Sequence, residues 1–215
     1  SEGSPEGFDP ALYTSGTTFD ASSHPIYNRL VEFETGTTNV VPGLAESWET
    51  SEDGLEVTFK LRSGVKFHET DYFTPTRDFN ADDVVYSFMR QMETEGSWEY
   101  FNGMSMPDLI SSIEKVDDMT VKVMLPAPDI SIVVGMADYP AAVVHASYDP
   151  SSPNDLIGTG PYMLTEMEVG VKATLQRVPD FTWWGTEVYG GPYLDTIEYI
   201  DYGTDPAAWL AAIES

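Results

Sequence analysis

The sequence predicts an α/β fold, and three stretches carry that prediction. In the first, Leu55, Val57, Phe59 and Leu61 fall on one face of a period-2 strand, with Glu56, Thr58, Lys60 and Arg62 on the other. Asp53-Gly54 just before it is a hairpin-turn signal, so residues 41–49, anchored by Trp48, read as the partner strand. In the second, Asn80 is a good helix N-cap, with Asp83 three residues on in a capping-box-like position. Val84, Val85, Phe88, Met89 and Met92 then repeat at helical spacing. In the third, residues 113–125 form another hairpin, turning at Asp117-Asp118, with Val121, Val123 and Leu125 facing one way.

Composition narrows the class. The chain has 215 residues, no cysteine and 41% hydrophobic content, enough for one or two small domains with a core. No run approaches 18 apolar residues, so no segment reads as membrane-spanning. The first residues, Ser1-Glu2-Gly3-Ser4-Pro5, lack the basic, apolar-cored pattern of an export leader, which is expected to have been removed or never present. The absence of cysteine fits an exported protein without disulfides and a cytosolic one equally. The formal net charge of −26 would repel a phosphate backbone or an anionic membrane, so nucleic-acid binding is a poor expectation. The acids are scattered, which argues against a disordered acidic tail. The favoured reading is a solvated acidic surface suited to a saline habitat; attraction of cationic ligands is the other, and it fades over about a Debye length in salt.

The order of blocks in the middle of the chain resembles one family. Val41-Pro42-Gly43-Leu44-Ala45-Glu46-Ser47-Trp48, then Phe59-Lys60-Leu61-Arg62, then Gly64-Val65-Lys66-Phe67-His68, then Ala81-Asp82-Asp83-Val84 stand in order and at close spacing. They resemble the large solute-binding proteins of bacterial ATP-driven importers, the oligopeptide, dipeptide and nickel binders. Many members have a short turn after the histidine. Here the segment 69–78 is longer, as in the dipeptide-binding branch. The resemblance implies a type II, cluster C periplasmic-binding-protein-like fold: a first lobe carrying an inserted α/β subdomain, with a second lobe of comparable size after residue 215.

The remaining elements follow in order. Residues 1–20 are Gly/Ser/Thr-rich with no sustained period and read by themselves as a surface loop. Residues 2–8 and 14–18, however, are similar to the start of the dipeptide-binding branch, which implies a position at the mouth of an interlobe cleft. Gly16 would allow close backbone approach to a ligand, and Ser15, Thr17 and Thr18 would hydrogen-bond peptide amides. The family's preceding β-strand is missing, so the sheet is expected to lack an edge strand. Residues 20–33 read as a helix running into a strand, with Ile26, Tyr27, Leu30 and Val31 buried and His24-Pro25 in the first turn, His24 a surface histidine. Trp98, Tyr100 and Phe101 form an aromatic cluster that either packs or walls a cleft. Residues 107–113 suggest a short helix. The Asp117-Asp118 pair reads as turn chemistry rather than a metal site, and a helix within the apolar 130–144 must break near Pro140. After a loop at 149–154, Gly158-Thr159-Gly160-Pro161 leads into a strand. Without a following Lys-Ser/Thr it is no phosphate loop, and the resemblance makes it the chain's return to the first lobe. Strands are expected at 173–177 and 194–200, and Asp205 caps a helix with Pro206 at its first position.

The resemblance implies a first lobe from residues 1–28 and 156–215, with 29–155 as the inserted subdomain, and exposed apolar surface where a second lobe would sit. It implies a periplasmic or extracellular substrate-binding component of an ABC importer, lipid-anchored through upstream residues or free. As a monomer it would capture di- or oligopeptides and deliver them to membrane permease subunits without entering the membrane itself. Ser15, Gly16, Thr17 and Thr18, with Tyr100 and Phe101, are the expected ligand-binding residues; no metal, cofactor or catalytic residue is expected. Other solutes on the same fold (haem, a nickel chelate, an oligosaccharide) and a sensor or peptide-chaperone role are the alternatives. Catalysis is disfavoured: there is no Gly-x-Ser-x-Gly, no His-Glu-x-x-His and no cysteine, and His24, His68 and His145 are far apart.

Overall fold

The computed structural model describes residues 8–11, 24–93, 106–138, 141–149, 155–178, 183–203 and 205–214. Three antiparallel sheets organise them. A two-stranded sheet pairs β1 (Val31–Phe33) with β2 (Val40–Pro42). A four-stranded sheet, in the order β3-β4-β6-β5, is built from β3 (Ala45–Thr50), β4 (Glu56–Leu61), β5 (Ser112–Asp117) and β6 (Thr120–Met124). A three-stranded sheet, in the order β7-β8-β9, contains β7 (Tyr162–Glu168), β8 (Lys172–Arg177) and β9 (Thr196–Ile200). The helices are α1 (Ala81–Glu93), α2 (Met106–Leu109), α3 (Ile132–Gly135), α4 (Thr186–Tyr189) and α5 (Pro206–Glu214).

The β3–β4 hairpin turns at Gly54, which takes the left-handed conformation that the Asp-Gly pair predicts (φ 72°), and Trp48 stands opposite Phe59. Val57, Phe59 and Leu61 are buried on one face, where Val121, Val123 and Leu125 join them. Helix α1 packs Val84 and Phe88 against this sheet, and each such side chain contributes about 2–3 kcal/mol on burial. Its N-terminus is a reciprocal capping box. Asp82 N donates to Asn80 Oδ1 at 2.9 Å, while Asn80 N donates to Asp83 Oδ2 at 2.9 Å. The second hairpin turns at Asp117, whose Oδ1 accepts from Met119 N at 2.8 Å, a hydrogen bond local to the turn as its chemistry predicts. Asp205 likewise caps α5 through Ala207 N.

Three expectations change. Residues 24–30, the described part of the helix expected over 20–33, are a turn and an extended segment. Ile26, Tyr27, Leu30 and Val31 are buried as expected. Their backbone groups, however, bond to distant chain: Ile26 O accepts from Gly160 N, Pro25 O from Tyr162 N, and Leu30 O from Gly43 N and Ala45 N. The short helix near 107–113 is the single turn α2, because Ser112 and Ile113 already belong to the β5–β6 ladder. The reading of the N-terminal stretch as a surface loop fails for 8–11. Phe8 and Ala11 are fully buried, and Asp9 forms a two-pronged ion pair with Arg90 of α1 at 2.8 and 2.6 Å. In the 130–144 run the helix α3 ends at Gly135, before Pro140.

Apolar side chains also remain uncovered at several places. Leu194, Ile200, Leu210 and Ile213 of the β9–α5 region are all more than half exposed.

Candidate functional site

Three distant chain segments cross at residues 158–160. Gly158 and Gly160 lie so close to the 25–27 backbone that a Cβ on them would stand 1.9 Å from Ile26 O and 2.3 Å from Pro25 O. Only glycine fits there. His68 seals the crossing from the third segment: its backbone N donates to Gly158 O (2.9 Å) and its Nε2 lies 2.8 Å from Gly160 O. A carbonyl only accepts, so Nε2 carries the proton and Nδ1 is left without a hydrogen-bond partner. Burial pushes the imidazole down to about 4, so it is neutral at physiological pH. Between the two glycines, Thr159 Oγ1 donates to Asn28 Oδ1 at 3.0 Å.

Asn28 is the floor of a pocket of about 420 Å3 beside this crossing, a size usual for small-ligand sites. Trp183 and Tyr189 form one wall, their rings stacked at 6.0 Å and 24°. Both indoles of Trp183 and Trp184 point their Nε1 at Asn28 Oδ1, at 3.5 and 3.2 Å. Arg62 holds Trp184 from the outside, its guanidinium 4.7 Å from the ring centroid. The Tyr189 hydroxyl donates to Pro42 O at 2.8 Å, and burial followed by the nearby Glu32 carboxylate pushes its pKa up to about 12. The opposite rim is β1 and the β1–β2 turn: Glu32, Phe33, Glu34 and Thr35–Thr37. Glu32 is held by Arg29, whose Nε donates at 2.8 Å, whose Nη2 forms an ion pair, and whose backbone N donates at 3.1 Å. His24 closes the rim, with Nδ1 3.0 Å from Arg29 Nη2. The result is an aromatic wall and an amide floor, with carboxylates already engaged at the edge. It suits a small, mostly neutral organic group.

A second cavity of about 530 Å3 lies between the 69–72 segment and β7. It is lined by Glu69, Asp71, Asp155 and Glu166 together with Tyr72 and Met167. Glu166 is partnered by Lys172 at 2.8 Å. Among the described residues no group of three or more His, Asp or Glu is arranged to hold a metal ion.

The residues read from sequence as ligand-binding (Ser15, Gly16, Thr17, Thr18, Tyr100 and Phe101) all lie outside the described residues. His24 is exposed, as its sequence position suggested, but it sits on the pocket rim. His145 is buried between Phe67 and Phe73 at 4.7 and 4.8 Å, and burial lowers its pKa. Asn28, Glu32, Trp183 and Tyr189 were not picked out by sequence reasoning. The one available signal was a polar Asn28 set among the apolar Ile26, Tyr27, Leu30 and Val31.

The sequence profile of bacterial extracellular solute-binding proteins, family 5 Middle, matches residues 39–215. The chain belongs to this family. It is 46% identical over 216 residues to the dipeptide-binding protein of Escherichia coli (strain K12), covering 93% of this chain and 39% of that protein. It is 42% identical over 197 residues to heme-binding protein A of Haemophilus influenzae, covering 84% of this chain and 36% of that protein. The fold matches the crystal structure of a dipeptide binding protein from Pseudoalteromonas sp. SM9913 in complex with Met-Leu, with a TM-score of 0.86 at 30% identity. That match covers 100% of this chain and 44% of the other. This family 5 chain therefore spans about two-fifths of the length of the relatives it matches, and its fold is that of a type II periplasmic binding protein. No helix among the described residues is long and apolar enough to cross a membrane.

Proposed function

We propose that this chain is part of the substrate-binding component of an ABC importer, one that captures di- or oligopeptides in a cleft and hands them to a membrane permease. The observation that carries this reading is the open pocket of Asn28, Trp183 and Tyr189, in a chain 46% identical to a dipeptide-binding protein. An aromatic wall accepts varied side chains, while amide groups serve the peptide main chain. In this reading residues 1–28 and 156–215 build the first lobe, 29–155 the inserted subdomain, and the Ser15–Thr18 loop borders the cleft. Closure of lobes around the ligand would complete the site. The protein would act outside the cytoplasmic membrane as a monomer, binding without turnover. Isothermal calorimetry on the full chain with a dipeptide panel tests this. Saturable binding of one dipeptide per chain is the expected result; no heat with any dipeptide, alongside tight binding of a sugar or a metal chelate, overturns it.

Haem is the second reading, favoured by the 42% identity to heme-binding protein A. A haem titration followed by absorbance separates the two: a saturable Soret shift at one haem per chain, with no heat from any dipeptide, selects haem.

A further inference from the structure

The orientation of the Asn28 amide is fixed by its neighbours. An indole N–H can only donate, and two of them, with the Thr159 hydroxyl, converge on one end of the side chain. That end must be the oxygen, since the NH2 group there would face two donors. The nitrogen is therefore the end turned away from Thr159 and the two tryptophans. Asn28 is only 4% exposed and lines the pocket; its side-chain hydrogen bonds among the described residues all end on Oδ1, and Nδ2 is not among the fully buried unpartnered atoms, so the surface the residue keeps includes Nδ2. Donors left open at the pocket surface are met by water in the free protein, and a ligand acceptor placed there takes over that role at no cost in unmade hydrogen bonds.

We propose that Asn28 Nδ2 is the polar anchor of the pocket and takes the neutral carbonyl oxygen of a peptide group, with the adjacent apolar or aromatic side chain laid against Trp183 and Tyr189. The electrostatics select the carbonyl over a terminal carboxylate. The neighbouring cation Arg29 is engaged by Glu32, and both Glu32 and Glu34 line the same rim. A carboxylate entering there meets like charge without a counter-ion, whereas a carbonyl meets only the donors. Asn28 is thus a specificity-determining residue. The inference rests on the peptide-capture reading only for the identity of the ligand.

The test combines three measurements on the full chain. The first follows the side-chain amide signals of Asn28 by 15N NMR, assigned by their loss in Asn28→Asp, during addition of N-acetyl-phenylalaninamide or of acetate. The acetylated amide, which has carbonyls but no charged end, should move them saturably, and acetate should not. The second measures Ala-Phe affinity by calorimetry. Asn28→Asp keeps an acceptor for Thr159 and the tryptophans but loses the donors, so affinity should fall about 10- to 100-fold. The third is a control for a merely structural role. Thr159→Val removes one brace from Oδ1 and should lower Tm while changing the Ala-Phe Kd by less than about 3-fold.

If Ala-Phe binds wild type and Asn28→Asp alike and the amide signals stay still, the inference is overturned and peptide capture stands. If Ala-Phe does not bind but the acetylated amide moves the signals, the anchor stands and peptide capture falls. If neither ligand acts, both fall. Acetate moving the signals as strongly as the acetylated amide overturns the preference for a carbonyl. If Asn28→Asp fails to fold, the Asn28 amide signals are assigned in the wild type by their nuclear Overhauser contacts to the Trp183 and Trp184 indole N–H protons, so the NMR arm still decides the matter.

Discussion

His68 shows how a single side chain ties stability to pH. It is fully buried, its Nε2–H satisfies Gly160 O, and its pKa is depressed to about 4 from 6.5 by desolvation. The folded state therefore binds fewer protons than the unfolded state between these values. Stability is complete above about pH 6.5 and falls as pH drops toward 4, by on the order of 3 kcal/mol for a shift of this size. His145, also lowered by burial, adds to the loss in the same direction. Asp53 and Asp117 have lowered pKa values, so their contribution is lost only at lower pH, below the ordinary carboxylate range. Denaturant melts between pH 7 and 4.5 should show this decline, and His68→Gln should flatten it; a flat wild-type profile would mean that His68 is not held neutral. Asp83 is the contrasting case of a buried charge that is fully paired. Its oxygens accept from Arg77 at 2.7 and 2.8 Å, from Asn80 N at 2.9 Å and from Ala146 N at 2.8 Å.

At the level of elements, what was legible in the sequence was local. The Asp53-Gly54 turn, the Asn80–Asp83 capping box, the alternating faces of β4 and β6 and the Asp205 cap all depend on residues within a few positions of one another. Each stands where it was expected. The 24–30 segment was misread because its apolar spacing fits a helix, while its hydrogen bonds run to Gly43, Val143 and Gly160. The candidate pocket was illegible for the same reason. Asn28 acquires its role from Thr159 and Trp184, which are 131 and 156 positions away, and nothing near Asn28 in sequence announces them. The crossing at 158–160 is the element on which this long-range arrangement turns, which gives a comparison between two glycines. Gly158→Ala drives a Cβ into the Ile26 carbonyl and should cost about 3 kcal/mol or more. Gly36→Ala, at φ 77° with open space around it, should cost only about 1 kcal/mol of backbone strain. Chemical denaturation of both variants measures the difference, and equal losses would remove the crossing from its central place.

Across the whole molecule the charge balance is lopsided in a specific way. The 36 acids face 10 Lys and Arg. Nine of those ten cations already sit in ion pairs, with Arg29, Arg62, Lys66, Arg77, Arg90, Lys115, Lys122, Lys172 and Arg177 each against a carboxylate. Lys60 donates to Thr120 Oγ1. The excess carboxylates repel one another with only Lys60 outside the ion pairs to offset them, so screening should relieve more repulsion than it removes attraction. Raising NaCl from about 0.05 to 0.5 M, over which the Debye length shortens roughly threefold, should raise Tm by several degrees. A fall in Tm would show that the ion pairs outweigh the repulsion. The Asn28 pocket has an aromatic wall and a rim carrying Glu32 and Glu34, and its occupation by peptide is the central claim. Tryptophan emission during titration of the full chain with Ala-Phe tests that claim most directly. A saturable change that tracks calorimetric binding and disappears in Trp183→Phe is predicted; the same change persisting undiminished in Trp183→Phe, or no response to the peptide at all, would contradict it.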